Sequence, residues 1–184
     1  MANTWLARVM LAVALPLLIT VPSVLAQDKV SGEAEILSEK VKWLVDRANI
    51  TDLINRFAQS IDRHDASAYA SLFTDDAVLE LPFATISGRQ NIASMKPVPA
   101  KNAGHHIASN YSISIDGATA VAQSYLQTTH VFDRQHPRSF EQAGGWYDYE
   151  LRKTNNGWRF SKVKLSVVWE SGDMMKETSA IPAS

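Results

Sequence analysis

"TDLINRFAQSID", residues 51–62, decides how this chain folds. Leu53, Ile54, Phe57, Ala58 and Ile61 recur at three- and four-residue steps, which puts them on one face of a helix. That stripe predicts a helix with one side in a core. Asp62 follows the last apolar position directly, at the edge of the stripe. It also stands near the helix C-terminus, where the backbone dipole disfavours a negative charge. A carboxylate in that place needs a partner or open solvent.

Upstream, Ile36, Leu37, Val41, Leu44 and Val45 have helical spacing and predict an earlier helix over 36–45, preceded by a polar, frayed stretch at 27–35. Downstream, Asp65 suits the cap of a short helix in "ASAYASLF" (66–73), with Tyr69, Leu72 and Phe73 turned inward. The period then changes. "VLEL" (78–81) reads as a short strand, "SGRQNIASM" (87–95) as a turn and short helix, and Pro97 and Pro99 mark a loop. "HHIASNYSISI" (105–115) and "ATAVAQSYLQTTHVF" (118–132) flank Asp116-Gly117, a hairpin signal. "GGWYDYELRK" (144–153) and "GWRFSKVKLSVVWE" (157–170) flank Asn155-Asn156-Gly157, a second one. Helices first and four long antiparallel strands afterwards predict an α+β fold, with a curved antiparallel sheet wrapped around the N-terminal helices.

The N-terminus reads differently. "MANTWLARVMLAVALPLLITVPSVLAQDK" carries Arg8, then an apolar run, then Val24-Leu25-Ala26, which is the layout of a secretory signal peptide cleaved after Ala26. The run is shorter than the roughly 20 residues of a spanning helix, and Pro16 and Pro22 interrupt it. The expected organisation is a signal peptide at 1–26, a partly helical extension at 27–44, a single folded domain at 45–171, and a flexible tail at 172–184. The chain is then exported, periplasmic or secreted, without stable membrane insertion after cleavage. Of 184 residues none is cysteine, so neither disulfides nor a lipidated cysteine enter the argument. The formal net charge is −1 with no basic block, which argues against nucleic acid as a partner.

Chemistry concentrates on the histidines, of which there are five. Neighbouring side chains on a strand point to opposite faces. His105 and His106 therefore do not share a pocket and make a poor metal pair; one is a candidate and the other a bystander. "DRHD" suggests no metal site either, because Asp62, His64 and Asp65 do not share a helix face. His64 and His136, in polar contexts, are assigned no role. A buried Asp beside a His makes chemical sense: the carboxylate fixes the tautomer and stabilises the imidazolium, while the other ring nitrogen acts as a general base. Such a dyad needs neither metal nor cofactor. Spacing alone leaves open which His would meet Asp62. Trp146, Tyr147, Tyr149, Trp158 and Trp169 are expected mostly in the core, with Tyr147 lining the pocket. Tyr125 is a candidate hydroxyl acid or substrate contact.

"ITDLINRFAQSIDRHDASAYASLFTDDAVLEL" (50–81), "ISGRQNI", "HHIASNYSISIDG", "GGWYDYELRK" and "GWRFSKVKL" together resemble the polyketide-cyclase, SnoaL-like, group of the nuclear-transport-factor-2-like superfamily. The resemblance covers about residues 45–170. Its motifs come nearest to scytalone dehydratase and hexachlorocyclohexane dehydrochlorinase, which are cofactor-free lyases. It implies a cone-shaped barrel with an internal pocket, and commonly a homo-oligomer. It also implies a catalytic set of Asp62 at the end of the second helix, His106 in "HIASN", and His130 in "TTH" as a second pocket histidine. Where the dehydratase has serine and asparagine, this chain has "GGWYDY", and that departure argues against scytalone as substrate.

Two functions follow as expectations. The first is an exported lyase or isomerase acting on a small apolar, cyclic or aromatic molecule by His/Asp acid–base catalysis. The second is a binding protein that holds such a molecule unchanged. A non-catalytic subunit of a ring-hydroxylating dioxygenase is a third, disfavoured by export.

Overall fold

A computed structural model describes residues 24–95, 103–133, 135 and 137–172. Most of the expected signal peptide, the Pro97–Pro99 loop, His136 and the tail beyond Gly172 lie outside the described residues. The chain divides into two compact units at Glu39/Lys40.

Helix α1 (Val24–Asp62) takes in both of the helices expected at 36–45 and 51–62, together with the stretch at 27–35 expected to fray. The reason is local: no Pro or Gly stands between Val45 and Thr51, so the backbone ladder has no cause to stop. The C-terminal half carries the predicted stripe, with Ile50, Leu53, Ile54, Phe57 and Ile61 all buried. Ile36, Leu37, Val41 and Leu44 are exposed instead.

"IDRHD" is where α1 stops and turns. His64 takes a left-handed φ of 55°. Its N–H reaches the Ile61 carbonyl at 3.0 Å, and the Asp65 N–H reaches Ser60 at 2.9 Å. This is the double bond of a Schellman ending, with His64 in the place usually given to glycine. Asp65 then caps α2 (Ala66–Ser71), accepting the Ala68 N–H at 2.8 Å. Tyr69, Leu72 and Phe73 are buried as expected.

Six strands follow: β1 (Phe73–Leu81), β2 (Ala84–Ser87), β3 (Ala103–Asp116), β4 (Thr119–Val131), β5 (Phe140–Thr154) and β6 (Gly157–Gly172), with α3 (Arg89–Ser94) between β2 and β3. Their order is β2-β1-β6-β5-β4-β3. Among the described residues β2 and β3 are the outer strands, and the sheet does not close into a barrel. The β3–β4, β4–β5 and β5–β6 pairs are antiparallel as expected, but β1 runs parallel to β6. The long passage through β2–β5 brings the chain back beside β1 in the same direction. Gly117 and Gly157, with φ of 56° and 89°, serve the two predicted hairpins.

Two irregularities bend the long strands. Asn110, with φ 55°, sits in a register shift of β3 between Ser109 and Ser112. On β5 the register shifts between Gly144 and Gly145. A Cβ on Gly145 would lie 1.9 Å from the Ser166 carbonyl oxygen, and one on Gly144 2.3 Å from the Trp169 indole. Gly145 meets backbone and admits no side chain, whereas a side chain at 144 would require the Trp169 ring to move. Phe57, Tyr69, Phe73, Tyr147, Tyr149 and Phe160 pack ring against ring in the core beneath α1 and α2. Trp158 is core, whereas Trp146 and Trp169 are partly exposed.

Near the other end of the buried stripe, Asp46 is itself buried. It accepts Lys153 Nζ at 2.7 and 2.9 Å and Trp158 Nε1 at 2.9 Å. α1 is thereby tied to the β5–β6 hairpin.

Candidate active site

Asp62, the last residue of α1, points at the start of β3. Its Oδ1 lies 2.7 Å from Nδ1 of His106. Both carboxylate oxygens also accept the His106 backbone N–H, at 3.2 and 3.1 Å. Burial pushes the Asp62 carboxyl up, but the His106 ring and backbone N–H bonds and the nearby His106 and His105 outweigh it, leaving the carboxyl below its ordinary value. An ionised Asp62 accepts a hydrogen bond from His106 Nδ1–H, and in the neutral ring this places the free lone pair on Nε2. The His106 side chain is only 7% exposed. Gly104 eases this approach, since a Cβ there would come within 3.2 Å of Asp62 Oδ1 and press on the carboxylate.

His106 faces a cavity of about 390 Å³ under the sheet, within the usual size of small-molecule pockets. Most of its wall is apolar, including Phe57, Ile61, Leu79, Leu126 and Leu165, with Tyr69 and Tyr147 among the aromatic lining. Burial raises both phenols far above their ordinary value, so they remain neutral donors. His130, Thr128 and Glu141 supply further polar groups. His130 Nε2 is 3.4 Å from His106 Nε2 and 3.2 Å from Thr128 Oγ1. Burial first, then the neighbouring His106, push His130 down to about 4, against a smaller opposing pull from Asp62. It is therefore a neutral ring near pH 7. Glu141 is shifted upward by burial and by Glu170. Two broader clefts, of about 530 and 520 Å³, cross the outer face of the sheet and hold no histidine.

Of the sequence-derived candidates, His106, His130 and Tyr147 line this cavity, and Asp62 stands against the His106 ring. His105 is exposed on the opposite face of β3. Tyr125 does not join them and is corrected here: it is 54% exposed on the outer side of β4. Ser124 and Leu126 take the inward positions, and alternation sends Tyr125 the other way. Among the described residues, no group of three or more His, Asp or Glu side chains is arranged to hold a metal ion. Sequence reasoning missed Gly104, Thr128 and Glu141. A glycine inside a strand pattern was the available signal for Gly104. Thr128 follows from parity with His130, and Glu141 from the β4–β5 register that pairs it with His130.

The SnoaL-like domain profile matches residues 43–164. The uncharacterized protein Rv2910c of Mycobacterium tuberculosis is 29% identical over 130 residues, covering 65% of this chain and 83% of that protein. Two solved structures share the fold. A candidate scytalone dehydratase from Novosphingobium aromaticivorans has a TM-score of 0.63 at 18% identity, covering 71% of this chain and 89% of that one. A hexachlorocyclohexane dehydrochlorinase (LinA) type 2 has a TM-score of 0.63 at 17% identity, covering 73% and 93%. This chain belongs to the SnoaL-like domain family, with the fold of the nuclear-transport-factor-2-like superfamily.

Proposed function

We propose that the protein is a cofactor-independent lyase or isomerase for a small, largely apolar cyclic molecule, exported after cleavage behind Ala26. The observation that carries this reading is the 2.7 Å contact between Asp62 and His106 in a histidine whose ring lines an apolar cavity. His106 Nε2 is the general base. Asp62 holds its tautomer and balances the imidazolium that forms. His130 assists the departing group or a carbonyl oxygen. Neutral Tyr69 and Tyr147 add donors on an otherwise apolar wall. The dehydratase and dehydrochlorinase among the fold's relatives support the reaction class.

The test is a panel of cyclic β-hydroxy ketones and halogenated cyclohexanes, scytalone and hexachlorocyclohexane included, followed by proton NMR in D₂O. Wild type should catalyse elimination, or deuterium exchange at the acidic carbon, for at least one compound, and Asp62→Asn should not. If wild type binds panel members yet changes none faster than Asp62→Asn does, the protein is a binder. N-terminal sequencing of the chain recovered outside the cytoplasm tests cleavage: the first residue should be Gln27.

A further inference from the structure

The acid–base reading leaves two pocket carboxyls, Glu141 and Glu170, without a task, and Glu141 is the one beside His130. Three contacts join four side chains in a line: Asp62 Oδ1 to His106 Nδ1 at 2.7 Å, His106 Nε2 to His130 Nε2 at 3.4 Å, and His130 Nδ1 to Glu141 Oε2 at 3.9 Å. A carboxyl stands at each end, and the hydrogens between can be placed by elimination. With His106 neutral and Asp62 ionised, Asp62 accepts a hydrogen bond from His106 Nδ1–H and His106 Nε2 is bare. A ring nitrogen beside a bare nitrogen is favourable only as a donor, so His130 carries its hydrogen on Nε2. His130 Nδ1 is then bare and faces Glu141. On approach to that nitrogen an ionised carboxylate would set acceptor against acceptor, whereas a protonated one can donate. Both burial and Glu170 on β6 favour the protonated carboxyl.

We propose that Glu141, carrying a proton, is a positioning residue that fixes His130 as the proton donor of the site and refills it during turnover. This rests on the lyase or isomerase reading above and narrows it to leaving groups that need a proton, a hydroxyl above all. His106 Nε2 takes the proton from carbon, and the C–H electron pair becomes the new double bond. The C–O bond breaks with its own pair. That oxygen takes the Nε2 hydrogen of His130 while His130 Nδ1 takes the Glu141 proton, and water departs. His106 is left as imidazolium and Glu141 as carboxylate. With the product gone, the His106 proton passes through His130 to Glu141 and restores the starting state, with no other reactant. At 3.9 Å, Glu141 is beyond a direct hydrogen bond, so the relay requires the two side chains to approach each other during turnover. A halide leaves as an anion and has no use for this relay.

The deciding experiment is long-range ¹H–¹⁵N NMR of the histidine rings in the full chain, titrated upward from pH 5. The groups around His130 are Glu141 on β5, His106 and Thr128 on β3 and β4, and Asp62 on α1, with Glu170 on β6 acting on Glu141. In wild type, His130 should pass from the Nε2–H to the Nδ1–H form as Glu141 ionises. Glu141→Gln can donate but not ionise, so it should hold the Nε2–H form throughout and lose the switch. Wild-type His130 in the Nδ1–H form at every pH, or identical behaviour in the two proteins, overturns the proposal. No substrate is needed, so a protein that failed the elimination test as a mere binder would still give a decision here.

Discussion

Helix α1 carries two carboxylates that leave water, and they end in opposite situations. Asp46 meets Lys153 and the indole N–H of Trp158. Asp62 meets His106. Both carboxyls are pushed up by burial and brought below their ordinary value by the hydrogen bonds they accept. The difference lies in the partners' other ends. Lys153 and Trp158 have nothing further to exchange, so Asp46 closes a structural tie between helix and hairpin. His106 has a second nitrogen on a cavity, so what Asp62 does to one side of the ring is felt by whatever occupies the other. A buried carboxylate becomes chemistry only through a partner that can pass a proton on.

Asp62→Asn tests that contrast most severely. Turnover of any panel substrate should fall roughly a thousandfold or more, because the wrong tautomer of His106 is then favoured. Circular dichroism should report an intact fold. Equal turnover in the two proteins would put Asp62 in the same class as Asp46. Acid titration of stability gives the next effect. Folded His130 takes its proton only near pH 4, against about 6.5 when unfolded, so between those values the unfolded chain binds more protons. Stability therefore falls as pH drops through that window, by up to about 3 kcal/mol from this residue. Glu141, shifted upward, works in the opposite sense. Denaturant midpoints for wild type and His130→Gln isolate the histidine's share, and parallel curves would refute it.

Asp46→Ala should cost about 2 kcal/mol of stability, since it strands the buried Trp158 N–H while the half-exposed Lys153 turns to water. Turnover per folded molecule should not change; a variant that keeps its midpoint but loses activity would erase the distinction between the two carboxylates. Smallest of all is Tyr125→Ala on the outer face, within about 0.5 kcal/mol and without effect on turnover. A clear loss of activity there would reinstate it as a site residue.

How much was legible in advance depended on range. The stripe Leu53–Ile61, the Asp65 cap and the hairpins at Gly117 and Gly157 are local matters, decided by side-chain periodicity and by which residues tolerate a given φ. Strand alternation was enough to separate His105 from His106. Tyr125 went astray because alternation says that two neighbours differ, not which of them faces inward. Glu141 was invisible because its meaning comes from pairing with His130 across two strands. The parallel β1–β6 pair escaped for the same reason: both partners look like ordinary strands, and only the long crossover sets their relative direction.

By itself, the chain of residues determined the helical stripe, the cap, the hairpin turns and a carboxylate left at a helix end in need of a partner, because these follow from forces acting over a few residues. Tertiary structure decided what spacing and periodicity left open: which histidine meets that carboxylate, that Tyr125 turns away from the cavity, and which glutamate stands behind the second histidine. Those contacts join residues 44 positions apart, as with Asp62 and His106. Their geometry is set by strand register and by a bend at Gly144 and Gly145, which no local pattern encodes; a glycine at 104 stood in the strand pattern, but not the carboxylate that approaches it.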